Sequence, residues 1–144
     1  MAELTKALQS NTTLRRLDVQ ARFLALQRDS AVANYLEPED LKAIFDSLAP
    51  SSALQDLRVN FQASLKASPP VDFAQMMRGK AGTEIYKAAA EALRANRQLL
   101  KLDLILVQRH WQDQICRGLM QNLEEKRKGG RACEEGVMHL HRLA

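Results

Sequence analysis

Histidine and cysteine are the residues of this chain best suited to nucleophilic or metal chemistry, and their spacing does not combine them into a recognisable site. His139 and His141 lie near Cys133, but no second pair supplies the remaining ligands of a tetrahedral metal site. Cys116 lies in an apolar stripe, which predicts a buried, small hydrophobic side chain. None of the three histidines, His110 included, has the motif of a Ser–His–acid triad around it. We therefore expect no enzymatic activity, no metal and no cofactor.

One glycine- and lysine-containing segment, Arg78-Gly79-Lys80-Ala81-Gly82, superficially resembles a phosphate-binding loop. A phosphate-binding loop of the P-loop type has four residues between its glycines and ends in Gly-Lys-Ser/Thr, so that backbone N–H groups surround the phosphate. This segment has neither feature. We interpret it as an ordinary loop that precedes a helix starting near Thr83.

An internal repeat supplies the elements that position every other candidate residue. The pattern Leu-x-x-Leu-x-Val/Leu occurs at 14–19, 54–59 and 99–104, and a helix-like run precedes each copy. A unit of one helix, one turn and one short strand cannot bury its own apolar face, so such units stack. The predicted fold is therefore α/β, a short leucine-rich-repeat stack of about three helix–strand units with parallel strands and a closing C-terminal helix.

The element boundaries follow from the same reading. We expect helices over 2–11, from about residue 37 and from about residue 83, a third strand over 100–106, and a final helix over 108–128. Residues 20–36 and 60–81 are insertions, the second containing a short helix near Phe73. The domain spans 1–128 and a tail follows over 129–144. Because the chain starts inside a repeat, we interpret it as a fragment of a longer protein.

The apolar stripe of the final helix recurs at helical spacing. Its members are Trp111, Ile115, Leu119, Met120 and Leu123.

The outward-facing residues of the three predicted strands alternate in charge. Side chains alternate between the two faces of a strand, and neighbouring strands lie about 4.8 Å apart. Aligning the repeats gives two lateral rows in which every neighbour has the opposite sign: Arg16, Asp56, Lys101 in the first and Asp18, Arg58, Asp103 in the second. Such pairs stabilise one register, and they make the strand face unlike a uniformly basic groove.

Composition narrows the functional classes. The chain has 144 residues, a formal net charge of +4 and only 5% aromatic residues, which favours an aliphatic core. Its basic excess is spread along the chain, so nucleic-acid binding is not favoured. No run is long and apolar enough to predict a signal peptide or a membrane span. Two cysteines predict no disulfide framework, and we expect a cytoplasmic protein with no membrane partner.

Two stretches resemble known leucine-rich repeats. Ala7-Leu8, followed by Asn11, Leu14 and Leu17, resembles the ribonuclease-inhibitor-like class, and the same pattern recurs over 91–102. Including the basic end of the final helix, 83–128 resembles the C-terminal leucine-rich-repeat domain of tropomodulin and leiomodin well, and 3–19 resembles it moderately. The units here are longer and fewer than in that family, and both insertions lack a counterpart in it.

The resemblance implies a function in the cytoskeleton. Tropomodulin and leiomodin cap or nucleate actin filaments at the pointed end, so it implies a protein partner, actin as the leading candidate. It also implies a partner-binding surface near the final helix, at Arg109, Lys126, Arg127 and Lys128. We therefore expect a non-enzymatic protein-interaction module with a cytoskeletal location.

Two alternatives remain open from the sequence. The basic excess could serve a surface that binds nucleic acid or acidic partners. The chain could instead be a structural fragment that self-associates through its open first strand, because sheet edges invite pairing.

Overall fold

The computed structural model describes residues 2–19, 36–48, 52–59 and 73–129. In the described part of the chain each strand follows a helix, and two successive helices precede the third strand. In chain order they are α1 (Ala2–Gln9), β1 (Arg16–Asp18), α2 (Pro38–Asp46), β2 (Asp56–Arg58), α3 (Phe73–Arg78), α4 (Lys80–Ala95), β3 (Lys101–Asp103) and α5 (Arg109–Gly129). The predicted α/β stack of helix–strand units with a closing helix is confirmed.

The three strands form one parallel sheet in the order β1-β2-β3. Leu17 pairs with Leu57, and Leu57 pairs with Leu102. The same pair of backbone hydrogen bonds occurs where each strand meets the next. The carbonyl of Arg15 accepts the N–H groups of Gln55 and Asp56 at 2.8 and 3.0 Å. The carbonyl of Gln55 likewise accepts those of Leu100 and Lys101, both at 2.9 Å. Equivalent residues of successive units therefore lie side by side.

The third strand is shorter than predicted. It ends at Asp103, whose carbonyl accepts the N–H of Val59 at 3.0 Å, whereas the prediction extended it to Leu106. Leu104, Ile105 and Leu106 are nonetheless buried. They are apolar because they pack into the core beyond the last paired residue, so hydrophobicity alone overstated the strand.

Helix α4 is the centre of the helical layer and packs against α2, α3 and α5. Its alanines at 88, 89, 90 and 92 are buried, which permits close approach of the neighbouring helices. Helix α2 begins where predicted, with Pro38 at its first turn and the N–H of Glu37 bonded to the Asp40 carboxylate at 3.1 Å. Packing of these faces, rather than helix propensity, holds such short helices.

The predicted bounds of the loop over residues 78–82 are wrong. Helix α3 lies where a short helix was predicted, but α4 begins at Lys80 rather than near Thr83. Gly82 is buried inside α4, and a Cβ atom placed on it would lie 2.1 Å from the carbonyl oxygen of Met77. The glycine therefore serves a tight corner between two helices and belongs to no phosphate loop.

A buried tyrosine fixes the segment that leads from β3 to α5. The hydroxyl of Tyr86 donates to the carbonyl of Ile105 at 2.6 Å and accepts the N–H of Val107 at 3.1 Å. Tyr86 is fully buried, and this burial raises the pKa of its hydroxyl although the Val107 N–H acts in the opposite direction. The bonds tie the third unit to its own helix.

We expect Tyr86→Phe to lower the free energy of unfolding by about 2 kcal/mol, because it removes both hydrogen bonds of the buried hydroxyl. The raised pKa also predicts a pH dependence. The folded state holds the proton more tightly, so the tyrosine's contribution is complete below about pH 10 and is lost as the pH rises through the folded-state pKa. Urea titrations at pH 8 and pH 11 measure this. The loss between those pH values should be smaller in Tyr86→Phe; an equal loss would contradict the role of Tyr86.

Helix α5 begins and ends within one residue of its predicted bounds, but its buried face is rotated from the prediction. Ile115, Leu119 and Asn122 are buried, whereas Met120 is 40% exposed and Cys116 is only partly buried. Met120 follows Leu119 by one residue and therefore lies about 100° around the helix from it. The predictions of a buried Met120 and a buried Cys116 are both wrong for this reason.

Candidate interaction surfaces

The outward strand face carries the two charged rows that the repeat alignment predicts. Arg16 lies beside Asp56 and Asp56 beside Lys101, while Asp18 lies beside Arg58 and Arg58 beside Asp103. The opposite faces of the strands supply Leu57 and Leu102 to the core. In β1 the corresponding Leu17 is only partly buried and packs against the edge of this core, so all three strands present their charged residues on the opposite side.

Asp56 is the electrostatic centre of this face. Its carboxylate lies 3.6 Å from the Nε of Arg16 and 3.4 Å from the Nε of Arg58. The Asp56 side chain is 15% exposed, whereas that of Arg16 is 57% exposed. The pairs bring little stability individually at such exposure, but together they neutralise the face internally. The strand face therefore presents no large field of one sign to a partner.

Arg58→Glu should lower the free energy of unfolding by about 1 kcal/mol, because it places a carboxylate between Asp18 and Asp103 and beside Asp56. Arg58→Gln is the matched control, since it removes the attraction without adding repulsion and should cost less. Thermal unfolding of both variants measures the difference. An unchanged melting temperature for Arg58→Glu would contradict the charge rows as a determinant of register.

The turn before each strand is held by a polar side chain. The Oδ1 atom of Asn11 accepts the N–H groups of Thr13 and Leu14 at 3.1 and 2.7 Å, and its Nδ2 atom donates to the carbonyl of Leu14 at 2.8 Å. Asn96 holds the third turn through the N–H of Gln98 at 2.8 Å. These are Asx turns, in which a short side chain replaces a backbone acceptor.

In the second unit the hydroxyl of Ser52 accepts the N–H of Leu54 at 3.3 Å. Three residues before the first leucine of each repeat lie Asn11, Ser51 and Asn96, so Ser51 is the equivalent of the two asparagines. Ser51 lies outside the described residues, and the buried Ser52 makes the bond that is seen.

Helix α5 closes the stack through Asn122. The Nδ2 atom of Asn122 lies 2.9 Å from the carbonyl oxygen of Leu99, 3.0 Å from that of Asn96 and 3.4 Å from that of Leu93. Asn11 is the equivalent of Asn96 in the first unit, and its carbonyl accepts the N–H of Ala53 from the next unit at 3.3 Å. A side chain of α5 thus occupies the bonding position that the backbone of a further unit would fill.

A second contact orients the end of α5. Arg97 lies in the turn before β3, and its Nη1 atom is 3.4 Å from the Oδ1 atom of Asn122 and 3.5 Å from the carboxylate of Glu125. The residues beyond Glu125 therefore continue from an anchored part of the helix.

The four basic residues assigned to a partner surface fall into two places. Lys126, Arg127 and Lys128 form the last turn of α5 and are all exposed; we call them the basic turn. Arg109 is the first residue of the same helix, and at 1.5 Å per residue it lies about 26 Å away along the axis. The structure brings the three residues of the basic turn together and separates Arg109 from them.

The histidine and cysteine candidates supply no site within the described ranges. His110 lies on the exposed side of α5, 2.8 Å from the amide of Gln114 and edge-on to Trp111. No group of three or more His, Cys, Asp or Glu in the described part of the chain could hold a metal ion. His139, His141 and Cys133 lie outside the described residues, as do 20–35, 60–72 and the tail beyond Gly129.

Comparisons with protein-family models and with curated proteins find no match to this chain. Among the described helices, none combines the length and apolar character that crossing a membrane requires.

The sequence patterns do not identify two residues that bond α5 to the third unit, Asn122 and Arg97. Asn122 is polar at a position that follows Ile115 and Leu119 at the spacing of a buried helical face, and that mismatch is the signal that could have identified it. Arg97 carries no such signal, because its two partners lie 25 or more residues away.

Proposed function

We propose that this chain is a non-enzymatic protein-interaction module that binds an acidic protein surface through the basic turn of α5. The carrying observation is that Lys126, Arg127 and Lys128 are exposed and form no ion pair with any described residue. The resemblance to tropomodulin and leiomodin makes the actin filament the leading partner. The support is therefore local charge and a resemblance.

The basic turn is suited to docking because it is both charged and held in place. Asn122 and Glu125 bond the preceding part of α5 to the third unit, so the three cations directly follow a segment that is tied to the stack. Cations at a helix C-terminus are also stabilised by the helix dipole, which makes this placement compatible with folding. Exposed charges of one sign raise association rates with surfaces of opposite sign, and salt screens this effect.

Co-sedimentation with actin filaments tests the proposal. We expect wild-type protein to pellet with filaments and to be released progressively as salt is raised. The variant Lys126→Gln/Arg127→Gln/Lys128→Gln should bind about tenfold more weakly or worse at low salt. Glutamine preserves helix propensity, so the loss would not reflect a melted helix.

A matched control removes three exposed cations elsewhere: Lys6→Gln/Lys80→Gln/Lys87→Gln changes the net charge equally and should retain wild-type binding. Equal weakening of both triple variants would show that net charge alone drives binding. Absence of wild-type binding to filaments, or tighter binding to duplex DNA than to filaments at the same salt, would overturn the proposal.

A further inference from the structure

A polar cavity of about 550 Å³ opens beside the turns that lead into the three strands. Its walls come from equivalent positions of the three units. Thr13, Ala53 and Gln98 are related by the repeat, as are Arg15 and Gln55. The stacking of the units therefore builds the cavity, and each unit contributes at least one polar side chain to it.

The backbone of these turns is already hydrogen-bonded, so the side chains carry the remaining bonding capacity. The N–H of Thr13 is held by Asn11, that of Gln98 by Asn96, and the carbonyl of Arg15 by β2. In contrast, the side chains of Thr12, Thr13, Arg15, Gln55 and Gln98 form no hydrogen bond or ion pair with any described residue. Side-chain hydrogen-bond donors without a partner among the described residues therefore line this cavity.

The charge of the cavity is positive. Arg15 is its only charged lining residue, and no carboxylate from the described ranges lines it. Asp56, which follows the lining residue Gln55, has its carboxylate engaged by Arg16 and Arg58 on the strand face. An arginine without a counter-ion, surrounded by hydroxyl and amide donors, matches a carboxylate, which accepts two parallel N–H bonds from a guanidinium.

We propose that this cavity binds an acidic peptide segment of a partner protein, with a carboxylate on Arg15 and the peptide backbone on Gln55 and Gln98. The amides both donate and accept, as peptide groups require. Three strands span about 10 Å, the length of about three residues of extended chain. A phosphate group would gain less, because Arg15 is the one cation that the described residues place in the cavity. The site is separate from the basic turn of α5 and does not depend on it.

Fluorescence anisotropy with a labelled peptide of three consecutive glutamates flanked by glycines tests the site. Arg15→Gln should weaken binding by about tenfold or more, because a charge-assisted bond is lost. Arg94→Gln is the matched control, an exposed arginine of α4 outside the cavity, and should bind as wild type does. Removing the basic turn by its triple glutamine variant should also leave this affinity unchanged.

Three results would overturn the proposal. The first is equal binding of a peptide in which glutamine replaces every glutamate. The second is loss of binding in the basic-turn variant but not in Arg15→Gln, which would place the peptide on α5. The third is displacement of the peptide by inorganic phosphate at lower concentration than by free glutamate, which would make the site a phosphate site.

Discussion

Asn122→Leu is expected to lower the free energy of unfolding by about 3 kcal/mol, the larger of the effects that single hydrogen-bonding residues should produce here. The substitution keeps the size of the side chain and removes the donor shared by the carbonyls of Leu93, Asn96 and Leu99. An unpaired buried carbonyl costs about 1–3 kcal/mol. Part of that cost should be recovered, which keeps the total below the sum of three such losses.

The recovery has a structural basis in Asn96. The Nδ2 atom of Asn96 is buried and has no hydrogen-bond partner among the described residues, whereas in the first unit the same atom of Asn11 donates to the carbonyl of Leu14. The equivalent acceptor in the third unit is the carbonyl of Leu99, which Asn122 occupies. Removing Asn122 leaves that carbonyl for Asn96 to bond.

Urea unfolding followed by the fluorescence of Trp111, the single tryptophan, measures the change at α5 itself. Gln121→Leu is the matched control, because it makes a similar substitution on the neighbouring exposed position and should change stability by less than 0.5 kcal/mol. If Asn122→Leu proved as stable as Gln121→Leu, closure of the stack by Asn122 would be ruled out.

Gly82→Ala should destabilise the protein by about 3 kcal/mol, because the added methyl group has no space. The new Cβ would lie 2.1 Å from the carbonyl oxygen and 2.5 Å from the Cα of Met77, so the α3–α4 corner must open. Overpacking against backbone typically costs about 1–3 kcal/mol, and backbone cannot rotate away as a side chain can.

The helix propensity of alanine acts in the opposite direction, so substitutions of a crowded and an uncrowded glycine should change stability with opposite signs. Alanine favours a helix interior over glycine by about 1 kcal/mol. Gly129→Ala, at the end of α5 with nothing within 4 Å of its Cβ, should therefore be neutral or slightly stabilising. Differential scanning calorimetry of the two variants decides the point; a Gly82→Ala melting temperature at or above that of wild type would contradict the tight corner.

The sequence repeat predicts much of the architecture. Leucines at equivalent positions predict the parallel order and register of the strands, since a one-residue slip would move Leu57 out of the core. Helix α5 is readable from its long helical periodicity. These features depend on local pattern and on unit-to-unit equivalence, both of which a single sequence contains.

The repeat pattern does not predict the contacts between units. In the sequence, Gly82 looks like a glycine of a loop. Its close approach to the backbone of Met77, where α3 meets α4, is what requires glycine at this position. Met120 has the hydrophobicity of a core residue, yet the rotation of α5 set by Asn122 leaves it exposed. The cavity around Arg15 likewise exists only once three distant turns have been stacked.

Hydrogen exchange measured by mass spectrometry with and without actin filaments tests the central functional claim most directly. If the basic turn docks a partner, added filaments should slow amide exchange in peptides covering 122–129, while peptides covering α1 and α2 keep their free-state rates. Unchanged exchange at 122–129 alongside protection elsewhere in the described chain would contradict binding through the basic turn.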